Sequence, residues 1–123
     1  MAMDARMVVM LHVPDVIGTA SWYAELGFTV HDIGRDGDEA VWALLSWRGA
    51  ELTLSAGGHP PQHIRRSADL YIHTEDVDGL FDSMRNKAEV VEDPHDTFYG
   101  QREFILRDCN GFWITFGEPA RKA

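Results

Sequence analysis

Residues 71–77 read YIHTEDV, and residues 10–16 read MLHVPDV. Each stretch carries His, two residues, then Asp-Val, and His12 and His73 stand 61 residues apart in a chain of 123. Matched histidines at this spacing are either a pair of metal ligands or the trace of a duplicated strand. The same offset pairs Gly18 with Gly79 and Val30 with Val91, with no gap between. Further on, GAELTLS (49–55) aligns with GFWITFG (111–117) at an offset of 62, so a loop has gained one residue. The match spans strand, helix and final strand. The chain reads as two copies of one unit.

Each copy opens with an apolar or alternating run of strand length, MVVMLHV or DLYIHT. Asp15 and Asp76 follow where a helix N-cap belongs, their carboxylates placed to accept first-turn N–H groups. Val16, Ala20, Tyr23 and Gly27 fall on one helical face in the first copy, with Gly27 closing the helix. Val77, Leu80, Phe81, Met84 and Ala88 do the same in the second. Strands are expected near 28–33, 40–46 and 50–56, separated by GRDGD (34–38) and Arg48-Gly49. In the second copy they are expected near 89–92, 103–107 and 112–117, with Asn110-Gly111 as a two-residue hairpin. Each half therefore reads β-α-β-β-β. The modules are 1–57 and 67–119, with a linker at 58–66, and together they form one structural domain.

An apolar fraction of 45%, with four Trp, six Phe and three Tyr, is enough for a packed core. No apolar run reaches the roughly 18–20 residues of a membrane span, and MAMDARMVVMLHV does not read as a signal peptide. The single cysteine, Cys109, cannot form an internal disulfide, which fits a reducing cytoplasm. A net charge of −9 disfavours nucleic acid and tolerates a cationic ligand.

DVIGTASWYAELGFTV (15–30), DVDGLFDSM (76–84) and YGQREFILRDCNGFWITFGEP (99–119) resemble the vicinal oxygen chelate superfamily. That group takes in glyoxalase I, extradiol dioxygenases, fosfomycin resistance enzymes and bleomycin resistance proteins. The last stretch is most similar to the terminal signature of the bleomycin resistance branch. Cys109 stands where that branch usually has Pro, and Tyr99 where it often has Trp. The resemblance implies an α+β fold of tandem βαβββ repeats forming a curled mixed-sheet cup, the glyoxalase/bleomycin resistance fold. It also implies a homodimer with ligands in grooves at the interface, and resistance by sequestering a drug rather than altering it.

In metal-using members the ligands come from the first and last strand of each repeat. The corresponding positions here are Val8, Thr53, Asp69 and Thr115. One carboxylate in four does not supply the two or three protein ligands that a divalent cation needs. No cofactor is therefore expected, and the metal-dependent mechanisms of the superfamily are disfavoured. A displaced site built from His12, Glu51, Asp69 and His73 remains open on strand parity, with a glyoxalase-like lyase or dioxygenase as the alternative function.

Strand parity gives an inward set of Met10, His12, Glu51, Ser55, Tyr71, His73 and Trp113, joined by Trp42 and the loop residue Tyr99. Trp42, Glu51, Thr53, Tyr71, His73, Tyr99, Trp113 and Thr115 form the expected ligand-binding set. An aromatic, partly acidic lining suits a flat or cationic small molecule such as an antibiotic, held by stacking and cation–π contacts. Trp22 and Phe81 read as core. Arg102 and Glu103 read as a structural charged pair beside a strand start. Ser46 and Ser55 lack the partners of a nucleophile, and no catalytic residue is assigned.

Overall fold

The computed structural model describes residues 5–57 and 68–121, which divide into two compact units, 1–60 and 61–123. The expected linker at 58–66 lies outside the described residues. Each unit is a four-stranded mixed sheet with one helix, and both have the expected β-α-β-β-β order.

In the first unit, β1 (Val9–Val13) leads through α1 (Val16–Leu26) to β2 (Thr29–Asp36), β3 (Glu39–Trp47) and β4 (Ala50–Ala56). The sheet order is β1-β4-β3-β2, with β1 parallel to β4 and the other pairs antiparallel. The parallel pairing needs a crossover, which α1 begins. Asp15 starts the helix as read from sequence: its Oδ1 accepts the Gly18 N–H at 2.9 Å. A Cβ on residue 18 would overlap Asp15 Oδ2 and lie 2.9 Å from Cγ, which explains a glycine there. Gly27, at φ 129°, ends the helix and donates to Tyr23 and Ala24 carbonyls. Arg48 and Gly49, both at positive φ, turn β3 into β4 as a two-residue hairpin closed by the Trp47–Ala50 pair.

The helix side of this sheet is the core. Tyr23 is fully buried and meets Phe28 edge-on at 5.1 Å, and Phe28 stacks on Trp47 at 6.3 Å. Leu45, Leu52, Leu54, Leu11 and Val13 complete the layer. Each such side chain contributes roughly 1.5–3 kcal/mol by burial. Trp22 is half-buried, edge-on to Tyr23.

The second unit repeats the plan with β5 (Asp69–His73), α2 (Val77–Met84), β6 (Glu89–Asp96), β7 (Gln101–Arg107) and β8 (Trp113–Pro119), in sheet order β5-β8-β7-β6. The repeat holds in register: Met10 pairs with Thr53 and Tyr71 with Thr115, His12 with Ser55 and His73 with Gly117. Phe104 stacks on Phe116 at 4.9 Å and receives Phe81 of α2 edge-on at 5.3 Å. Asp76 caps α2 through the Gly79 N–H, but in the left-handed region at φ 54°. The Glu118 carboxylate reaches over from β8 to accept the N–H groups of Asp76 and Val77 at 3.0 and 2.9 Å.

Two local expectations are corrected. Helix α2 stops at Met84, so Ala88 lies beyond it, in the turn before β6. Asn110-Gly111 is not a two-residue hairpin. Strands β7 and β8 part after the Arg107–Trp113 pair, leaving five residues in the connection. The buried Asp108 carboxylate takes the N–H groups of Asn110 and Phe112, both at 2.8 Å, and so builds a wider turn around itself.

Candidate ligand-binding site

Because α1 and α2 each cover one face of a sheet, the expected site residues can be placed by strand alternation on the other face. In the first unit one cross-strand row runs His12, Ser55, Trp42, Gly34. The next runs Met10, Thr53, Leu44, Asp32. Glu51 lies on the same face beside Ser46, and its Oε1 accepts a 3.1 Å ion pair from Arg6. Trp42 is half-buried, and Gly34 lets it lie close over β2, since a Cβ there would sit 3.4 Å from the indole. His31 Nε2 lies 2.6 Å from Ser46 Oγ, beside the irregularity in the β2–β3 register.

In the second unit the rows run Asp69, Trp113, Arg107, Glu89; then Tyr71, Thr115, Ile105, Glu92; then His73, Gly117, Glu103, His95. All the expected second-copy strand residues therefore share one face. The sequence reading underrated the group that organises it. Glu103 is 3% exposed, and its two carboxylate oxygens each accept a phenol hydrogen: Tyr71 Oη at 2.6 Å and Tyr99 Oη at 2.7 Å.

Tyr71 springs from β5 and Glu103 from β7, with β8 between them. Two strand spacings are roughly 10 Å, so the two side chains meet only if nothing rises from β8. Gly117 is the residue there. A Cβ on it would overlap the Tyr71 hydroxyl and lie 2.8 Å from Cζ. Burial, then the hydrogen bond to Glu103, raises the Tyr71 phenol well above its ordinary value of 10. The Glu103 hydrogen bond is the first cause of the upward shift of Tyr99. Both phenols therefore stay protonated as donors at neutral pH. The rings remain open to solvent, Tyr71 at 41% and Tyr99 at 55% exposure. Tyr71 leans on the His73 ring at 4.7 Å, and Tyr99 meets the 99%-exposed Phe98 edge-on at 5.0 Å.

Arg102 and Glu103 are not a pair. As consecutive strand residues they face opposite sides. Arg102 forks the Asp78 carboxylate with two 2.9 Å bonds and reaches Asp96 at 3.0 Å. That hydrogen bond is the main reason the Asp78 carboxyl lies below its ordinary value. Arg102 lines an open cleft of about 450 Å³ with Asp76, Asp96, Glu118 and Arg121, where the carboxylates are engaged by the arginine or by the start of α2.

The metal positions implied by the resemblance do not fit a metal. Val8 offers no donor, Thr53 and Thr115 are buried hydroxyls in mid-sheet, and Asp69 alone carries a carboxylate. Within each unit the residues of the displaced alternative, His12 with Glu51 and Asp69 with His73, stand four residues apart along the strands, roughly 13 Å. Among the described residues no three His, Cys, Asp or Glu side chains converge as a metal site. No helix of the described residues is long and apolar enough to cross a membrane.

A repeated βαβββ unit with these sheet orders defines the scaffold class, and family comparison identifies it. The family model described as the Glyoxalase/Bleomycin resistance protein/Dioxygenase superfamily matches residues 7–116, and the chain belongs to that superfamily. Solved structures agree on the fold. TioX from Micromonospora sp. ML1 superposes with a TM-score of 0.74 at 21% identity, covering 97% of this chain and 99% of its own. UcmS2 gives 0.73 at 21% identity, covering 94% and 98%. A glyoxalase/bleomycin resistance protein/dioxygenase family enzyme from Burkholderia phytofirmans PsJN gives 0.68 at 14% identity, covering 91% and 96%. No curated protein matches the sequence.

Proposed function

We propose that the chain is a cytoplasmic, metal-free small-molecule-binding protein that resembles bleomycin resistance proteins and acts by sequestering its ligand in a dimer-interface groove. The observation that carries this reading is the sheet face its own helix leaves bare, set with half-exposed aromatic rings and polar anchors rather than with a metal's donors. Tyr71, His73, Tyr99 and Trp113 supply it in the second unit and Trp42 and Glu51 in the first, with the buried Thr115 and Thr53 in the cross-strand rows between them. Aromatic faces held by a rigid sheet bind flat ligands by stacking at small entropic cost. Dimerisation is supported by β1, an edge strand whose Met7, Val9 and Met10 neighbourhood exposes apolar side chains that a second chain would cover.

The test is a Trp fluorescence titration with flat cationic antibiotics, including a bleomycin-type glycopeptide, against wild type and the W42A, W113A and Y99A variants. Removing a stacked aromatic costs about 2–3 kcal/mol, which is on the order of 30–150-fold in affinity. Quenching by none of the panel overturns sequestration of such drugs. Light scattering is expected to return twice the 13.9 kDa chain mass. Stoichiometric zinc, nickel, iron or manganese in protein purified without chelator or tag would instead favour an enzyme.

A further inference from the structure

The second unit holds a buried carboxylate that makes no ion pair among the described residues. Glu103 is 3% exposed, and among the described residues its partners are the Tyr71 and Tyr99 hydroxyls alone. Its basic neighbours in the sheet row are otherwise engaged: His95 with Glu92 and the Asp93 carbonyl, His73 against the Tyr71 ring. Burying a carboxylate is costly unless it is fully compensated, and an apolar residue is the cheaper filling. The fold does not require the charge. The equivalent row of the first unit places Trp42 where the second has Glu103, opposite Ser55 instead of Gly117.

What lies over the anion is two tyrosine rings that solvent reaches, with Phe98 edge-on to one of them. A phenol that donates to a carboxylate gains electron density in its ring, and the buried negative charge adds to the attraction of a cation for the ring face. Each carboxylate oxygen carries one phenol hydrogen, and because Glu103 is only 3% exposed its remaining lone pairs are shielded from a ligand's N–H. The site therefore favours a cation that needs no hydrogen-bond acceptor.

We propose that Tyr71, Tyr99 and Phe98, with Glu103 beneath them, form a recognition platform for a quaternary or fully alkylated ammonium group. This deepens the small-molecule-binding reading and rests on it, naming the chemistry of one end of the ligand. Gly117 belongs to the device, because only its missing side chain lets Tyr71 reach the anion.

The test is an NMR titration of the full chain, following the ring resonances of Tyr71 and Tyr99, with three probes of matched size. These are choline, its carbon isostere in which a tert-butyl group replaces the trimethylammonium, and ethanolamine. Choline is expected to shift both rings and to bind about five- to thirtyfold more tightly than the other two, the equivalent of a cation–π contact of about one to two kcal/mol. Glu103→Gln, which keeps an acceptor and the side-chain volume, is expected to lower choline affinity about tenfold and leave the carbon isostere unaffected. Tyr71→Phe and Tyr99→Phe keep the rings and should lose less, and they serve as the readout if Glu103→Gln fails to melt cooperatively. Equal binding of the carbon isostere, tighter binding of ethanolamine, or a choline affinity indifferent to all three substitutions overturns the platform. If antibiotics quench Trp fluorescence while choline leaves the tyrosines unmoved, sequestration stands and this inference falls. If choline binds as described and no antibiotic does, the platform stands and sequestration falls.

Discussion

Gly117→Ala tests whether the Tyr71–Glu103 contact is what dictates glycine in the middle of β8. The backbone there needs no positive φ, so alanine is conformationally allowed. By propensity the change should stabilise the strand by about 0.5–1 kcal/mol. The structure reverses that sign. The new methyl overlaps the Tyr71 hydroxyl and lies 2.8 Å from Cζ and 3.1 Å from Cε1, so the ring must leave. Its departure removes a 2.6 Å hydrogen bond to a buried carboxylate, worth roughly 1.5–3 kcal/mol. The net expectation is destabilisation by about 1–2 kcal/mol, or roughly 3–5 °C in Tm for each kcal/mol in a chain of this size. In a Tyr71→Ala background the obstruction is gone, and the same glycine substitution should stabilise by about 0.5–1 kcal/mol. Urea denaturation of the four proteins of this double-mutant cycle gives the coupling directly. Equal destabilisation by Gly117→Ala in both backgrounds would refute the argument, because the glycine would then be answering to something other than Tyr71.

The two tyrosines give a pH prediction. Their folded values are raised above 10, so their stabilising share is present below pH 10 and is lost as pH rises through the folded values. NMR should find both rings titrating at higher pH in the wild type than in Glu103→Gln. Asp78 works in the opposite sense: its value is depressed below 3.8, so its share is present above that pH and lost as pH falls through the folded value. Melting temperature should therefore drop more steeply below about pH 4 in the wild type than in Arg102→Met, by a small amount because both side chains are partly exposed. Asp15→Ala should cost about 1 kcal/mol by urea denaturation through loss of the N-cap bond to Gly18. Asp76→Asn should cost less than Asp76→Ala, since asparagine both caps and tolerates the left-handed backbone at φ 54°.

The duplication, the strand and helix order, both N-caps and the glycine end of α1 were legible in the sequence because each is a local signal. Strand alternation, a carboxylate three residues ahead of an orphan N–H, and a positive-φ glycine act within a few residues of chain. The shared face of Tyr71, His73, Trp113 and Thr115 followed from the same two-residue period. The turn at Asn110-Gly111 misled because the flanking Asp108 carboxylate captures two N–H groups and overrides the dipeptide's own preference. Glu103 was hidden for a different reason. Beside Arg102 it reads as half of a structural charged pair, yet strand geometry sends the two to opposite faces. Its real partners are four residues away across a loop and 32 residues away on β5, a strand it does not pair with. Only tertiary structure brings β5, β8 and β7 together in that order. It then lets Tyr71 cross above Gly117 to the buried carboxylate, a meeting that depends on the one strand residue between them having no side chain.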